Sequence, residues 1–241
     1  ELTEYLTELT TTEVAEYLRP NFWPNTPDIL TEELQQGGRA TFIRRFVLAA
    51  TLSSNYGIYG PPFEHGWCAP LKHGSEEYLN SEKYQIHYHD IDRSDSLRPL
   101  IARVNQIRRE NPALQSNLGL QFHAVDNEQL LCYSKRCGDG KNFIVVVVNL
   151  DSSYKQAGFV ELPLHEFGID EFEPYQMHDL LTDARYMWYG YRNYVELDPH
   201  RLPAHIFRIR RRVHSETDRE YFHLRRSVPP RRHSEWSRHG C

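Results

Sequence analysis

Asp28 is the residue whose setting first points to chemistry. It follows Asn25-Thr26-Pro27, just after an aromatic segment, Asn21-Phe22-Trp23, that reads as a short strand, and just before a stretch that reads as a helix. In a barrel of alternating strands and helices, that junction lies on the face where active sites are built, so a carboxylate there is a candidate for chemistry. The position has a second reading, because an acid in the first turn of a helix is favoured by the helix macrodipole alone. His65, Cys68, His73, His87, His89 and Asp90 form another group, with His87 and His89 on one face of a strand. Their spacing fits no closed zinc signature, and the chain has 13 histidines, so they read as loop and surface residues and no metal is expected.

The elements that would position Asp28 follow from periodicity. Leu2, Tyr5, Leu6 and Leu9 predict a helix over 1–17, broken by Arg19-Pro20. Thr26-Pro27 reads as the cap and first turn of a helix that stops at Gly37-Gly38. Phe42, Ile43, Phe46, Val47 and Ala50 predict a second amphipathic helix ending near Ser53-Ser54-Asn55. Tyr56-Gly57-Ile58-Tyr59-Gly60-Pro61-Pro62 reads as a short strand entering a Gly/Pro loop that runs to about Tyr88, and a loop of that length inside a compact domain is usually functional. Leu97, Leu100, Ile101, Val104 and Ile107 give a third helix, stopped by Asn111-Pro112. Beyond Pro112 the pattern is all-β, with strands expected at 121–123, 130–136, 143–149, 159–162, 175–179, 194–197 and 205–209. Cys137-Gly138-Asp139-Gly140 reads as a hairpin loop between two of them, and the whole as a sandwich.

Composition bounds the rest. A chain of 241 residues, 39% hydrophobic and 25% charged, allows one or two domains and a sizeable core. The apolar run Phe143–Val148 is far shorter than the ~20 residues of a membrane-spanning helix, so no membrane partner is expected. Four cysteines without a C-x-x-C pair point to a reducing cytoplasm rather than a disulfide scaffold. The net charge of -5 is uneven: from Arg208 onward ten arginines face four acids, a balance of +6, which leaves -11 on the first 207 residues. An acidic body argues against a nucleic-acid partner, and residues 213–241 read as a basic, disordered tail. The chain starts at Glu1, and its two methionines are Met177 and Met187, so it reads as a piece of something longer.

Phe22-Trp23-Pro24-Asn25-Thr26-Pro27-Asp28 resembles the late motif of the α-amylase superfamily, in the variant seen in bacterial α-1,4-glucan:maltose-1-phosphate maltosyltransferases. The similarity continues in 49–60, in Gly74-Ser75-Glu76-Glu77-Tyr78-Leu79, in Ser81-Glu82-Lys83-Tyr84, in Ile107-Arg108-Arg109-Glu110-Asn111-Pro112-Ala113-Leu114, and in His178-Asp179-Leu180-Leu181-Thr182-Asp183. It covers Glu1 to about Phe222, while the stretch between His65 and His73 matches poorly.

That resemblance implies an α/β part, residues 1–112, forming the C-terminal portion of a (β/α)8 barrel. Asp28 would then follow the seventh strand, with Tyr56–Gly60 at the eighth. An antiparallel β-sandwich would occupy 113–212. It implies retaining transfer of maltose from maltose 1-phosphate to the non-reducing end of an α-1,4-glucan, elongating a glycogen-like polymer with no cofactor. Asp28 would be the transition-state-stabilising acid and Lys83 and Tyr84 would contact the donor maltose, with Tyr56, Tyr59, Trp67 and Tyr78 as further aromatic lining. The family's nucleophilic Asp and acid/base Glu belong to motifs preceding Glu1, so the isolated chain is expected to be inactive and, with unpaired strand edges, unstable or prone to aggregate. A homodimer is implied for the full enzyme. The other readings are a non-catalytic carbohydrate-binding β-sandwich module and a related α-amylase-type glycoside hydrolase.

Overall fold

The computed structural model describes residues 1–210, and the tail expected over 213–241 lies outside the described residues. The first half carries six helices and two very short strands. In order they are α1 (Leu2–Thr11), α2 (Val14–Tyr17), β1 (Asn21–Phe22), α3 (Glu32–Gln36), α4 (Gly38–Leu52), β2 (Asn55–Tyr56), α5 (Gly60–Glu64) and α6 (Arg98–Glu110). β1 and β2 pair in parallel, Asn21 opposite Asn55 and Phe22 opposite Tyr56, so the chain leaves both at the same end. The loops that follow them, 23–31 and 57–59, are therefore neighbours.

Several elements differ from the sequence expectation. The helix expected from Thr26 begins at Glu32, with Thr31 in extended conformation at its N-cap. Thr26 and Ile29 instead exchange backbone hydrogen bonds of 3.2 and 3.3 Å across a tight turn. Pro27 pre-sets the backbone angle that the second position of such a turn needs. Asp28 thus sits on a turn corner four residues ahead of α3, which removes the macrodipole explanation for it. Gly38, at φ +60, divides α3 from α4 in a left-handed conformation that a side chain rarely adopts. The first helix breaks earlier than expected, at Thr12-Glu13, and α5 was hidden in the Gly/Pro stretch because Pro61 and Pro62 occupy the first turn, where no backbone donor is needed.

The second half is antiparallel β. Its strands are β3 (Leu120–His123), β4 (Leu130–Arg136), β5 (Phe143–Asn149), β6 (Gln156–Glu161), β7 (Tyr175–Asp179), β8 (Arg185–Trp188), β9 (Arg192–Leu197) and β10 (Ala204–Arg210). They form a six-stranded sheet in the order β3-β4-β5-β10-β7-β8 and a separate pair, β6-β9. The all-β reading holds, with the turn Cys137–Gly140 joining β4 and β5. The sequence reading had no β8, whose first three residues are exposed and give no buried alternation.

Alternation along β5 explains the layering. Ile144, Val146 and Val148 join Phe42, Phe46, Val47, Val104 and Ile107 in one hydrophobic cluster against the helices. Val145 and Val147 join Val160, Val195 and Leu197 in a second cluster against the β6-β9 pair. With both faces covered, the strand reads as an unbroken apolar run. The helical half is also pinned to the sheet by polar contacts: the Thr51 and Tyr133 hydroxyls lie 2.6 Å apart in the core, and Arg108 donates to the carbonyls of Ala50, Ser53 and Ser54 at the end of α4. α4 is buried on most of its circumference, which is why its sequence shows little amphipathic contrast.

Candidate functional site

The site is built where the chain leaves the parallel pair β1-β2, and Asn25 organises it. Its side chain is buried. Its carbonyl oxygen accepts the Tyr59 backbone N–H at 3.0 Å, and its amide donates to the Tyr78 hydroxyl at 2.8 Å. One residue therefore joins the exits of both strands to the long loop. Gly57 permits the approach: a Cβ there would fall 2.3 Å from the Trp23 ring.

The long loop is itself tied down by backbone pairing. Leu71 donates to Glu77 at 2.7 Å and Leu79 to Ala69 at 2.9 Å, while Leu30 donates to Glu76 at 2.6 Å. Gln35 reaches across to the carbonyls of Leu30 and Ser75. A single turn then closes, with Tyr84 and Gln85 both donating to the Ser81 carbonyl.

That turn delivers Lys83 to Asp28, its Nζ 2.6 Å from Asp28 Oδ1. The hydrogen bond to Asp28 raises the Lys83 pKa, so the ammonium stays charged. Both side chains are open, 46% and 64% exposed, so the pair is available to a ligand rather than sealed in the core. Tyr84 is exposed, its ring centroid 5.6 Å from Lys83 Nζ. Three donors on Lys83, an acceptor on Asp28 and an apolar ring beside them could together address a sugar's hydroxyls and its C–H face.

Of the other aromatic candidates, Tyr59 faces this region, with its hydroxyl donating to Glu82 Oε2 at 2.8 Å. Its pKa is pushed up to about 12 by burial and by the Glu82 carboxylate. Tyr78 is buried edge-on to Tyr59. Tyr56 points the other way: its hydroxyl bonds Asn105 on α6 and the Arg108 guanidinium lies over its ring. Trp67 packs against the rings of His87 and His89.

The histidine group behaves as packing. His65 lies edge-on to His89 and His87 is tilted against it, but His87 Nε2 contacts the Asn80 carbonyl and His89 Nε2 contacts Glu82. His87 and His89 do not lie on a strand. Among the described residues there is no group of three His, Cys, Asp or Glu side chains that could hold a metal ion. Glu82 is the residue that sequence reasoning passed over. Its signal was its place directly before Lys83, with no spacing rule to mark it.

Comparison with known proteins then places the chain. Residues 122–209 match the family described as GLGE, C-terminal. The chain is 54% identical over 215 residues to an α-1,4-glucan:maltose-1-phosphate maltosyltransferase of Chlorobaculum tepidum, covering 87% of this chain and 32% of that protein. It is 51% identical over 208 residues to the enzyme of the same description from Salinibacter ruber, covering 86% and 31%. Among solved structures it resembles an Anoxybacillus α-amylase, with a TM-score of 0.58 at 14% identity over 84% of this chain and 41% of that one. A maltogenic α-amylase from Thermotoga neapolitana gives 0.53 at 14% identity over 86% and 45%. At such identities these two establish a likeness of fold only. The chain spans about a third of the length of the relatives it matches. Over most of its own length the chain is thus similar to about a third of the length of these two α-1,4-glucan:maltose-1-phosphate maltosyltransferases, and its residues 122–209 match the family described as GLGE, C-terminal.

Proposed function

We propose that this chain is the part of a retaining maltosyltransferase that carries its third catalytic carboxylate and part of its donor site. Maltose is moved from maltose 1-phosphate to the non-reducing end of an α-1,4-glucan, and phosphate leaves. The observation that carries this reading is the open Asp28–Lys83 pair at the exits of two parallel strands, in a chain 54% identical to a protein of that description.

In this mechanism a nucleophilic carboxylate takes the maltosyl group from phosphate and an acid/base group assists departure and re-attack. The resemblance assigns both roles to motifs other than those found in residues 1–241. Asp28 accepts hydrogen bonds from sugar hydroxyls, bonds that tighten as positive charge develops on the ring and so lower the barrier rather than merely hold substrate. Lys83, already charged and already beside Asp28, donates to donor hydroxyls, and the Tyr84 ring covers an apolar face of the sugar.

The same reading makes residues 1–112 the last part of a (β/α)8 barrel, with β1 and β2 as its seventh and eighth strands, and the stretch from 113, expected to reach 212 and described to 210, a β-sandwich flank. The complete enzyme would be a cytoplasmic homodimer. The test is the complete protein incubated with maltose 1-phosphate and glycogen: phosphate release in step with glucan lengthening supports transfer. Reducing sugar released from glucan without any need for maltose 1-phosphate would make it a hydrolase. The isolated chain should release no phosphate at an enzyme-like rate, and release at such a rate would refute the division of catalytic groups.

A further inference from the structure

Glu82 is held at both carboxylate oxygens. Oε2 accepts the Tyr59 hydroxyl at 2.8 Å, and Oε1 pairs with His89 Nε2 at 2.7 Å. Each partner is fixed in turn. Tyr59 is gripped through its backbone by Asn25 and packs edge-on to Tyr78. The His89 side chain is 10% exposed, with its ring 5.2 Å from that of Trp67 and 5.5 Å from that of His65. Its Nδ1 is buried without a partner, so its hydrogen bonding is directed to Glu82 alone. The bond to His89 holds the Glu82 carboxyl below its usual value, so it remains a charged acceptor.

The next residue along the chain is Lys83, whose ammonium stands at Asp28. Each Glu82 oxygen accepts a bond from within the protein, and these bonds converge on the single turn that carries both donor-site side chains. A lysine has about 2 kcal/mol of rotamer freedom to lose on binding, and a fixed backbone together with a pre-formed pair at Asp28 lowers the ordering left for substrate to impose.

We propose that Glu82 is a positioning residue for donor binding: the Tyr59–Glu82–His89 chain locks the 82–84 turn to the exit of β2, so that Lys83 and Tyr84 are set before substrate arrives. This rests on the reading of Lys83 as a donor contact. The kinetics of phosphate release in the complete enzyme test it with E82A, K83A and the double variant. E82A should raise KM for maltose 1-phosphate about tenfold and move kcat by less than about twofold, because the loss falls on substrate binding. In the K83A background E82A should raise KM by less than it does in the wild type, since only its effect through Tyr84 remains and coupled residues are not additive. E82Q keeps a carbonyl oxygen for the Tyr59 hydroxyl and should fall between wild type and E82A.

Multiplying effects of E82A and K83A, or an unchanged KM in folded E82A, would overturn the proposal while leaving Lys83 in the site. An unchanged KM in K83A would overturn the reading of the site and this proposal with it. Should E82A fail to fold, Y59F removes one arm of the chain with minimal change of shape. It should still raise KM severalfold, and an unchanged KM there counts against the proposal.

Discussion

Lys135 lies on β4, fully buried on the face that meets the helices. Its Nζ donates to the Ser116 carbonyl at 2.5 Å, and no carboxylate pairs with it among the described salt bridges. Burial, and then the nearby Arg108 guanidinium, lower its pKa from 10.5 to about 7. Between those two values the unfolded chain binds the proton that the folded chain gives up, so stability must rise with pH from about 7 to 10.5 and flatten on either side. Integrated over the window, the lysine costs the folded state about 4 kcal/mol at pH 7. Lys135→Met keeps the aliphatic stem and removes the charge, at the loss of the Ser116 bond and the desolvation of that carbonyl, about 1–3 kcal/mol. A net gain of about 2 kcal/mol remains at pH 7, or roughly 4–8 °C in Tm for a unit of this size. Melting the complete protein across pH 6–10, wild type against K135M, reads this directly. The gap should be widest at and below pH 7, vanish near pH 9 and reverse by about 1 kcal/mol at pH 10, where most of the lysine's cost is gone and the lost Ser116 bond outweighs the remainder. A destabilised variant at pH 7, or a gap that does not narrow as pH rises, would refute the reasoning.

Two further outcomes follow from the same geometry. Asn25→Ala leaves the half-buried Tyr59 N–H and the buried Tyr78 hydroxyl without their partner; it should cost about 2–4 kcal/mol, read as a lowered urea midpoint, and an unmoved midpoint would deny Asn25 its organising role. Cys132 is buried and its thiol is pushed up by desolvation, whereas Cys68 is exposed. Iodoacetamide at pH 8 followed by peptide mapping should find Cys68 modified in the native protein and Cys132 only after denaturation, and comparable rates at the two would contradict the packing of β4.

The β half was legible because its strands carry their own local signal: Leu130–Arg136 and Phe143–Asn149 fall where apolar runs and a Gly-Asp-Gly turn put them. β8 was not, since an edge strand with Arg185, Tyr186 and Met187 exposed has no buried face to report. In the helical half the positions of α4 and α6 were clear, but Thr26-Pro27 misled. Thr before Pro serves a tight turn as well as a helix cap, and the Leu30 backbone beyond the turn is held by the Glu76 carbonyl, distant in sequence, and by the nearby Gln35 side chain. The site shows the same division. Asp28, Lys83 and Tyr84 could be named from motif position, and the structure brings Asp28 and Lys83 into contact. The Glu82 clamp depends on partners 23 residues before it and seven after it, separations that no local pattern encodes.

Asp28→Ala in the complete enzyme tests the central claim most directly. The Asp28–Lys83 pair is open to solvent, and exposed pairs are worth about 0–1 kcal/mol, so the variant should fold and melt as the wild type does. Phosphate release from maltose 1-phosphate with glycogen as acceptor should then lose at least about a hundredfold in kcat, as expected when a group acting chiefly on the transition state is removed. A folded D28A enzyme whose kcat stays within about twofold of wild type would contradict the account.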